Sequence, residues 1–312
     1  MLDDTQRDLL LKTIKPYCDE HGLETGIVPL EWFTSTEALR NYSFVFPFET
    51  KLDRVSFFLR SQTTWTVSIW ISILYVTLVF IGRKVMASRK AFVLRKPLIM
   101  WNVSMAIFSL LGFIRVSPEL FRTVSNHGLL FSVCVTNYGR DPVAAFWISA
   151  FVTSKFVELL DTAFIVLRKR PLIFLHWYHH VTVLLFAWHS AKEVSATGRW
   201  YAWMNYGVHS FMYSYYAVRA MKYHAPDWIR IFVTCLQLSQ MAAGVTISLV
   251  VFKAKTAWRA SCHQTWANLT FAGVIYATYF VLFLIYFYDA YVKPRLASKS
   301  ALKEEEQTKK VM

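Results

Sequence analysis

The sequence predicts an all-α polytopic membrane protein in which seven transmembrane helices enclose a narrow tunnel open to the cytosol. Three observations carry that prediction: an apolar and aromatic composition, basic residues gathered between the apolar runs, and polar residues that recur on one face of four of those runs. Of 312 residues, 55% are hydrophobic and 17% aromatic, leaving too little polar surface for a soluble domain of this size. The 34 Lys and Arg outnumber the 20 Asp and Glu. Because they fall in the connections, membrane topology accounts for them and no nucleic-acid partner is expected. The four cysteines, Cys18, Cys134, Cys235 and Cys262, show no CxxC spacing, which indicates neither a zinc site nor a disulfide-dense scaffold.

Residues 1–60 are mixed and polar, without a basic start followed by a short apolar core, so no cleavable signal peptide is expected. The first span, 64–81, is then the targeting signal. Its following flank carries Arg83, Lys84, Arg89, Lys90, Arg95 and Lys96 with no acid among them, which places that loop in the cytosol and the N-terminus in the lumen. Further spans are expected at 98–116, 143–167, 172–190, 200–218, 229–252 and 267–291. Three regions result: a lumenal segment 1–60, a seven-helix catalytic domain 61–292 and a disordered cytosolic tail 293–312. The sequon Asn41-Tyr42-Ser43 lies on the expected lumenal side, open to glycosylation. Cys134 and Cys262 both fall in lumenal loops, where oxidising conditions favour their pairing over two free thiols. Lys309 and Lys310 stand where a dilysine retrieval signal to the endoplasmic reticulum requires them, a chance basic tail being the alternative.

Polar side chains inside a span are costly and mark function by default. In FLHWYHHVTVLL, His176, His179 and His180 lie at i, i+3 and i+4 and share one helical face. In KFVELLDT, Lys155, Glu158, Asp161 and Thr162 occupy an arc of about 120°; a salt-bridged packing stripe is the alternative. Asn205, His209, Met212, Tyr213 and Tyr216 form a stripe on the fifth span, and Thr234, Gln237 and Gln240 one on the sixth. At about 1.5 Å per residue from the cytosolic ends, most of these side chains reach one level, with Lys155 and His209 near mid-depth. That convergence predicts a polar chamber opening to the cytosol and continuing into an apolar interior.

A histidine cluster in a membrane also suggests a metal-dependent lipid oxidoreductase of the desaturase or hydroxylase type. Such di-iron sites need about eight histidines; only nine exist here, of which His21, His127 and His263 lie away from the chamber, and one box is present. A zinc held by His176, His180 and an acid stays open by counting. Without metal, imidazole is a competent nucleophile that attacks a thioester to form an acyl-imidazole. A seven-helix receptor or transporter is the non-enzymatic alternative.

KFVELLDT, HWYHH, HSFMYSYY and TCLQLSQ, in this order and spacing, resemble the four motifs of the ELO family of very-long-chain fatty acid elongases, the condensing enzymes of microsomal elongation. The surrounding strings are most similar to the branch that extends saturated and monounsaturated acyl chains of about 12 to 18 carbons. The resemblance runs from about residue 70 to 292, and the N-terminal 60 residues depart from it by their length. It implies decarboxylative condensation of acyl-CoA with malonyl-CoA to 3-oxoacyl-CoA, CO2 and CoA, with no cofactor. His179 would take the acyl group, His209 would assist, and His176 and His180 would orient the nucleophile. Charge and depth suggest Asp161 and Glu158 as partners of imidazole tautomers and Lys155 as their neutralising base. Asn205, Tyr213 and Gln237 would stabilise the enolate, while Tyr216, Gln240 and Thr234 complete the chamber wall. Arg168, Lys169, Arg170, Arg219 and Lys222 would meet the CoA phosphates, ordinary topology residues being the alternative. Trp203 or Phe211 would close the far end. Expected partners are membrane lipid, the ketoacyl reductase, hydroxyacyl dehydratase and enoyl reductase of the cycle, and a possible second copy in a homodimer.

Overall fold

The computed structural model describes residues 30–294, and among these the regular structure is helical throughout. Cys18, His21, Lys309 and Lys310 lie outside the described residues, as does nearly all of the expected tail. The helices are α1 (Arg54–Thr64), α2 (Val67–Ala87), α3 (Arg95–Cys134), α4 (Pro142–Val157), α5 (Leu160–Leu167), α6 (Phe174–Glu193), α7 (Gly198–Ala220), α8 (Asp227–Thr256) and α9 (Trp266–Phe287). Their starts follow local chemistry. The Asp53 carboxylate accepts from the Ser56 amide to cap α1, and the Thr265 hydroxyl caps α9. Asp141 accepts from the amides of Val143 and Ala144 ahead of Pro142, which needs no partner for a missing N–H.

Among the described residues, five helical stretches are both long enough and apolar enough to cross a bilayer: α2, α3, α4 with α5, α8, and α9 with its π-helical end. Their outward faces carry exposed Trp70, Leu78, Ile107 and Leu249, as lipid contact requires. The chain is a multi-pass membrane protein. The two remaining long helices, α6 and α7, have the length to span but carry the histidine box, Arg199, Asn205, His209 and a run of tyrosines. The residues that lower their apolarity are the ones that build the interior.

Several expected boundaries move. The second run extends to Cys134, with Pro118 inside the helix and a break at Gly128, where φ is 84°. The third tightens at Glu158 and Leu159 into i+3 bonds, such as Asp161 N to Glu158 O, which separates α4 from α5. An unexpected helix, α1, precedes the first span.

α3 packs along α7 and α8 along α9, while α6 touches α1, α2, α4 and α9. The first two pairings use glycine holes: the Tyr206 ring occupies the space a Cβ on Gly112 would need, and Tyr276 does the same at Gly244. One end of the bundle is covered by residues 30–53. There Trp32 and Phe33 are buried and Phe33 stacks on Phe58 at 5.0 Å. Buried Glu49 accepts from Arg115 and from the Trp147 indole N–H. The Cys134–Cys262 disulfide, as the sequence predicts, fastens the same end.

Candidate active site

Among the described residues, a wide cavity and a narrow one lie end to end inside the bundle. The wide one, about 700 Å³, is lined by α5, α6, α7 and α8 with contributions from α3 and α9. Its lining includes His176, His179, His180, Asn205, His209 and Gln237. Arg168, Arg170, Arg219 and Arg230 stand at its other end. The narrow one, about 60 Å³, runs on toward the capped end between Phe151, Val183, Phe186, Tyr201, Tyr276 and Tyr279. His179, Asn205, Gln240 and Met241 line both, so the two meet at His179. A polar chamber with a cationic rim therefore leads into an apolar slot.

The three box histidines have different surroundings. His176 Nε2 lies 2.9 Å from the Thr162 hydroxyl, which also meets the Tyr75 hydroxyl at 2.7 Å. That chain fixes the ring. His180 is buried with Nδ1 unpartnered, and its ring lies 4.5 Å from that of His176. Among the described residues, no hydrogen bond engages the His179 ring; instead its backbone carbonyl accepts from Tyr279, whose hydroxyl also meets Thr182. Of the three, His179 is the one held by its backbone with its imidazole free at the junction of the cavities.

Behind this face sits a buried ion pair. Lys155 Nζ donates to Glu158 Oε1 at 2.7 Å and to Asn205 Oδ1 at 3.0 Å. The Ser154 hydroxyl adds a second hydrogen bond to Glu158, and His209 Nδ1 lies 3.9 Å from that carboxylate. Glu158 thus stands beside one imidazole, outside hydrogen-bond range. Asp161 serves none: it accepts from the Trp101 indole at 2.5 Å and from the Tyr213 hydroxyl at 2.6 Å. The expectation that Asp161 holds a histidine tautomer is corrected: its two oxygens accept from tryptophan and tyrosine, and among the described residues no histidine shares a hydrogen bond with it.

A family model described as ELO, the GNS1/SUR4 family, matches residues 61–299. The chain belongs to the ELO family. Among its relatives, the Caenorhabditis elegans putative fatty acid elongase 3 is 49% identical over 257 residues, covering 82% of this chain and 80% of the relative. The Drosophila melanogaster very long chain fatty acid elongase 6 is 44% identical over 262 residues, 81% of each chain. The human very long chain fatty acid elongase 6 is 42% identical over 242 residues, 77% of this chain and 90% of the relative.

All four ELO motifs fall within the matched residues. Thr234, Gln237, Gln240, Tyr213 and Tyr216 line the wide cavity. The basic set divides: Arg168, Arg170 and Arg219 face it, but Lys169 and Lys222 do not. Lys169 instead donates to the carbonyls of Ala87 and Arg89 at the end of α2, and Lys222 occupies a left-handed turn after α7, with φ 69°. Trp203 and Phe211 close nothing. The Trp203 indole donates to Ser117, and Phe211 is exposed on the outer face. Among the described residues, no three His, Cys, Asp or Glu side chains gather as ligands of one ion, and the oxidoreductase alternative is without support. Cys235 is exposed. Trp101, Asn102, Arg230 and Tyr279 belong to the site and went unrecognised; a buried asparagine in an apolar run, as Asn102 is, was the available signal.

Proposed function

We propose that this chain is a fatty acid elongase condensing enzyme joining a long-chain acyl-CoA to malonyl-CoA to give 3-oxoacyl-CoA, CO2 and CoA. The observation that carries the reading is the meeting of a cationic-rimmed chamber and an apolar slot at His179. A CoA head and a fatty tail need opposite surroundings on either side of one reacting carbonyl. ELO membership and relatives named as fatty acid elongases support the reaction class.

In the first step a His179 nitrogen attacks the thioester carbonyl, the C–S bond breaks, and CoA leaves as the thiol with the imidazole proton. Malonyl-CoA then loses CO2, and the electron pair of the broken C–C bond remains on the α-carbon as an enolate. That carbon attacks the acyl-imidazole, the C–N bond breaks, and the departing imidazole takes up one proton. His209 lies in the same chamber to move protons, steadied by the Lys155–Glu158 pair. The Asn205 amide and Gln237 are the donors for the enolate. Tyr213, whose hydroxyl is donated to Asp161, serves by orienting.

Seven membrane crossings, counting α6 and α7, put the arginine rim at the cytosol and the disulfide in the lumen, in keeping with the basic flank after α2. Arg168, Arg170, Arg219 and Arg230 would contact CoA phosphates. Asn41 is exposed at the capped end, where lumenal glycosylation would reach it. Residence in the endoplasmic reticulum follows, with saturated and monounsaturated acyl-CoAs as substrates and the reductases and dehydratase of the cycle as functional partners. Purified protein given acyl-CoA and malonyl-CoA releases CO2 and 3-oxoacyl-CoA in equal amounts. Loss of label from malonyl-CoA without a ketoacyl product would refute this.

A further inference from the structure

We propose that residues 30–54 set the acyl-chain length this protein accepts, by bracing Tyr138 where it stops the narrow cavity. The inference rests on the reading above, in which the acyl tail enters that cavity. The slot ends at the capped end among Tyr138, Ser195 and Gly198. From His179 on α6 to Ala191, also in its lining, the helix rises about 18 Å. Tyr138 is buried; its hydroxyl donates to the Ser195 carbonyl at 3.2 Å, and the Arg199 guanidinium stacks on its ring at 5.1 Å.

From the outside, the turn that carries Tyr138 is gripped by the segment ahead of the bundle. Arg54 donates to the Gly139 carbonyl at 3.0 Å and to the Ser35 carbonyl at 2.8 Å, tying cap and turn with one guanidinium. The Phe33 ring lies where a Cβ on Gly139 would meet it at 3.3 Å. The Arg140 guanidinium covers Trp32 at 4.6 Å. The Tyr42 hydroxyl donates to Asp141, the residue that caps α4 next to the turn. No residue of 30–54 lines either cavity; the segment acts only through the position of Tyr138, which makes these positioning residues. It also precedes residue 61, where the family match begins.

The test is a competition in one vessel: full-length protein in microsomes, malonyl-CoA and an equimolar ladder of saturated acyl-CoAs of graded length. The readout is the ratio of long to short products, which does not depend on how much protein is folded. One methylene admitted or refused by an apolar pocket shifts discrimination by roughly 10-fold or more. Tyr138→Ala raises the long-to-short ratio. Gly198→Val lowers it, since a Cβ there meets only the Tyr138 hydroxyl at 3.7 Å and the added methyls enter the slot. Arg54→Ala raises the ratio in the same direction as Tyr138→Ala; if that variant does not accumulate, Arg54→Lys, which loses the fork that joins two carbonyls, serves instead. Cap variants that slow all lengths equally, or leave the ratio at the wild-type value, overturn the proposal. Wild-type protein that makes no ketoacyl product refutes the condensing reaction itself, a different failure.

Discussion

Two buried ion pairs divide this protein between chemistry and scaffold. Lys155 and Glu158, one helical turn apart, sit behind the histidine face, and Lys155 donates to Asn205, which lines both cavities. Arg199 and Glu119, from different helices, sit at the capped end, where Arg199 also donates to the Val135 carbonyl at 2.6 Å and to Asn137 at 2.6 Å. Both pairs bear the desolvation cost of burial, which Coulomb attraction alone seldom offsets. The difference lies in what each holds: the first aims donors at a reaction chamber, the second locks the turn beneath it.

The largest effect expected is on the chamber itself. His179→Ala lowers condensation by roughly 10^3-fold or more while leaving the melting temperature in detergent near wild type. Next come the pairs. Lys155→Met and Arg199→Met each strand a buried carboxylate and destabilise by about 3–5 kcal/mol. Removing both partners separates the two roles. Lys155→Met with Glu158→Leu regains much of the stability, yet condensation stays down by roughly 10^2-fold. Arg199→Met with Glu119→Leu regains stability and also activity on short acyl-CoAs. Equal behaviour of the two double variants would abolish the distinction. A smaller change follows from Thr162→Val, which removes the hydroxyl between Tyr75 and His176. One such bond is worth about 1 kcal/mol, so condensation falls several-fold and protein levels hold.

The smallest effect is one of pH, at the cap. Burial works against the Glu49 carboxylate, but hydrogen bonds from Arg115, Trp147 and the Phe46 amide outweigh it and hold the group below its ordinary range. Its folded value lies below its unfolded one. The stability it contributes is therefore complete above the unfolded carboxylate range and is lost as pH falls through the folded value. Protease nicking between residues 30 and 53 should rise in that acidic window, and Glu49→Gln should flatten the dependence.

Helical periodicity made the chamber legible: residues 176, 179 and 180, the stripe from Asn205 to Tyr216, and the threonine and glutamines of α8 all face one space. The same periodicity argued against one of the two expected plugs. Trp203 lies two residues from Tyr201 and from Asn205, about 200° around the helix, and points elsewhere; Phe211 falls by count on the side of Val208 and Tyr215, yet its ring is exposed on the outer face. Bulk suggested them, and bulk carries no direction. Trp101 was invisible because one indole in an apolar run looks like packing until its acceptor, Asp161, is placed opposite. The cap escaped for a related reason. Its bonds, Glu49 to Trp147, Tyr42 to Asp141 and Arg54 to Gly139, span long stretches of chain that no local pattern joins.

The most direct measurement is the mass of the protein after incubation with labelled palmitoyl-CoA in the absence of malonyl-CoA. One acyl group on the peptide containing residues 174–185, placed on His179 by fragmentation and released as 3-oxoacyl-CoA when malonyl-CoA is added, is the expected result. An unmodified His179 in protein that nonetheless turns over, or an acyl group carried by Cys235, would contradict the account.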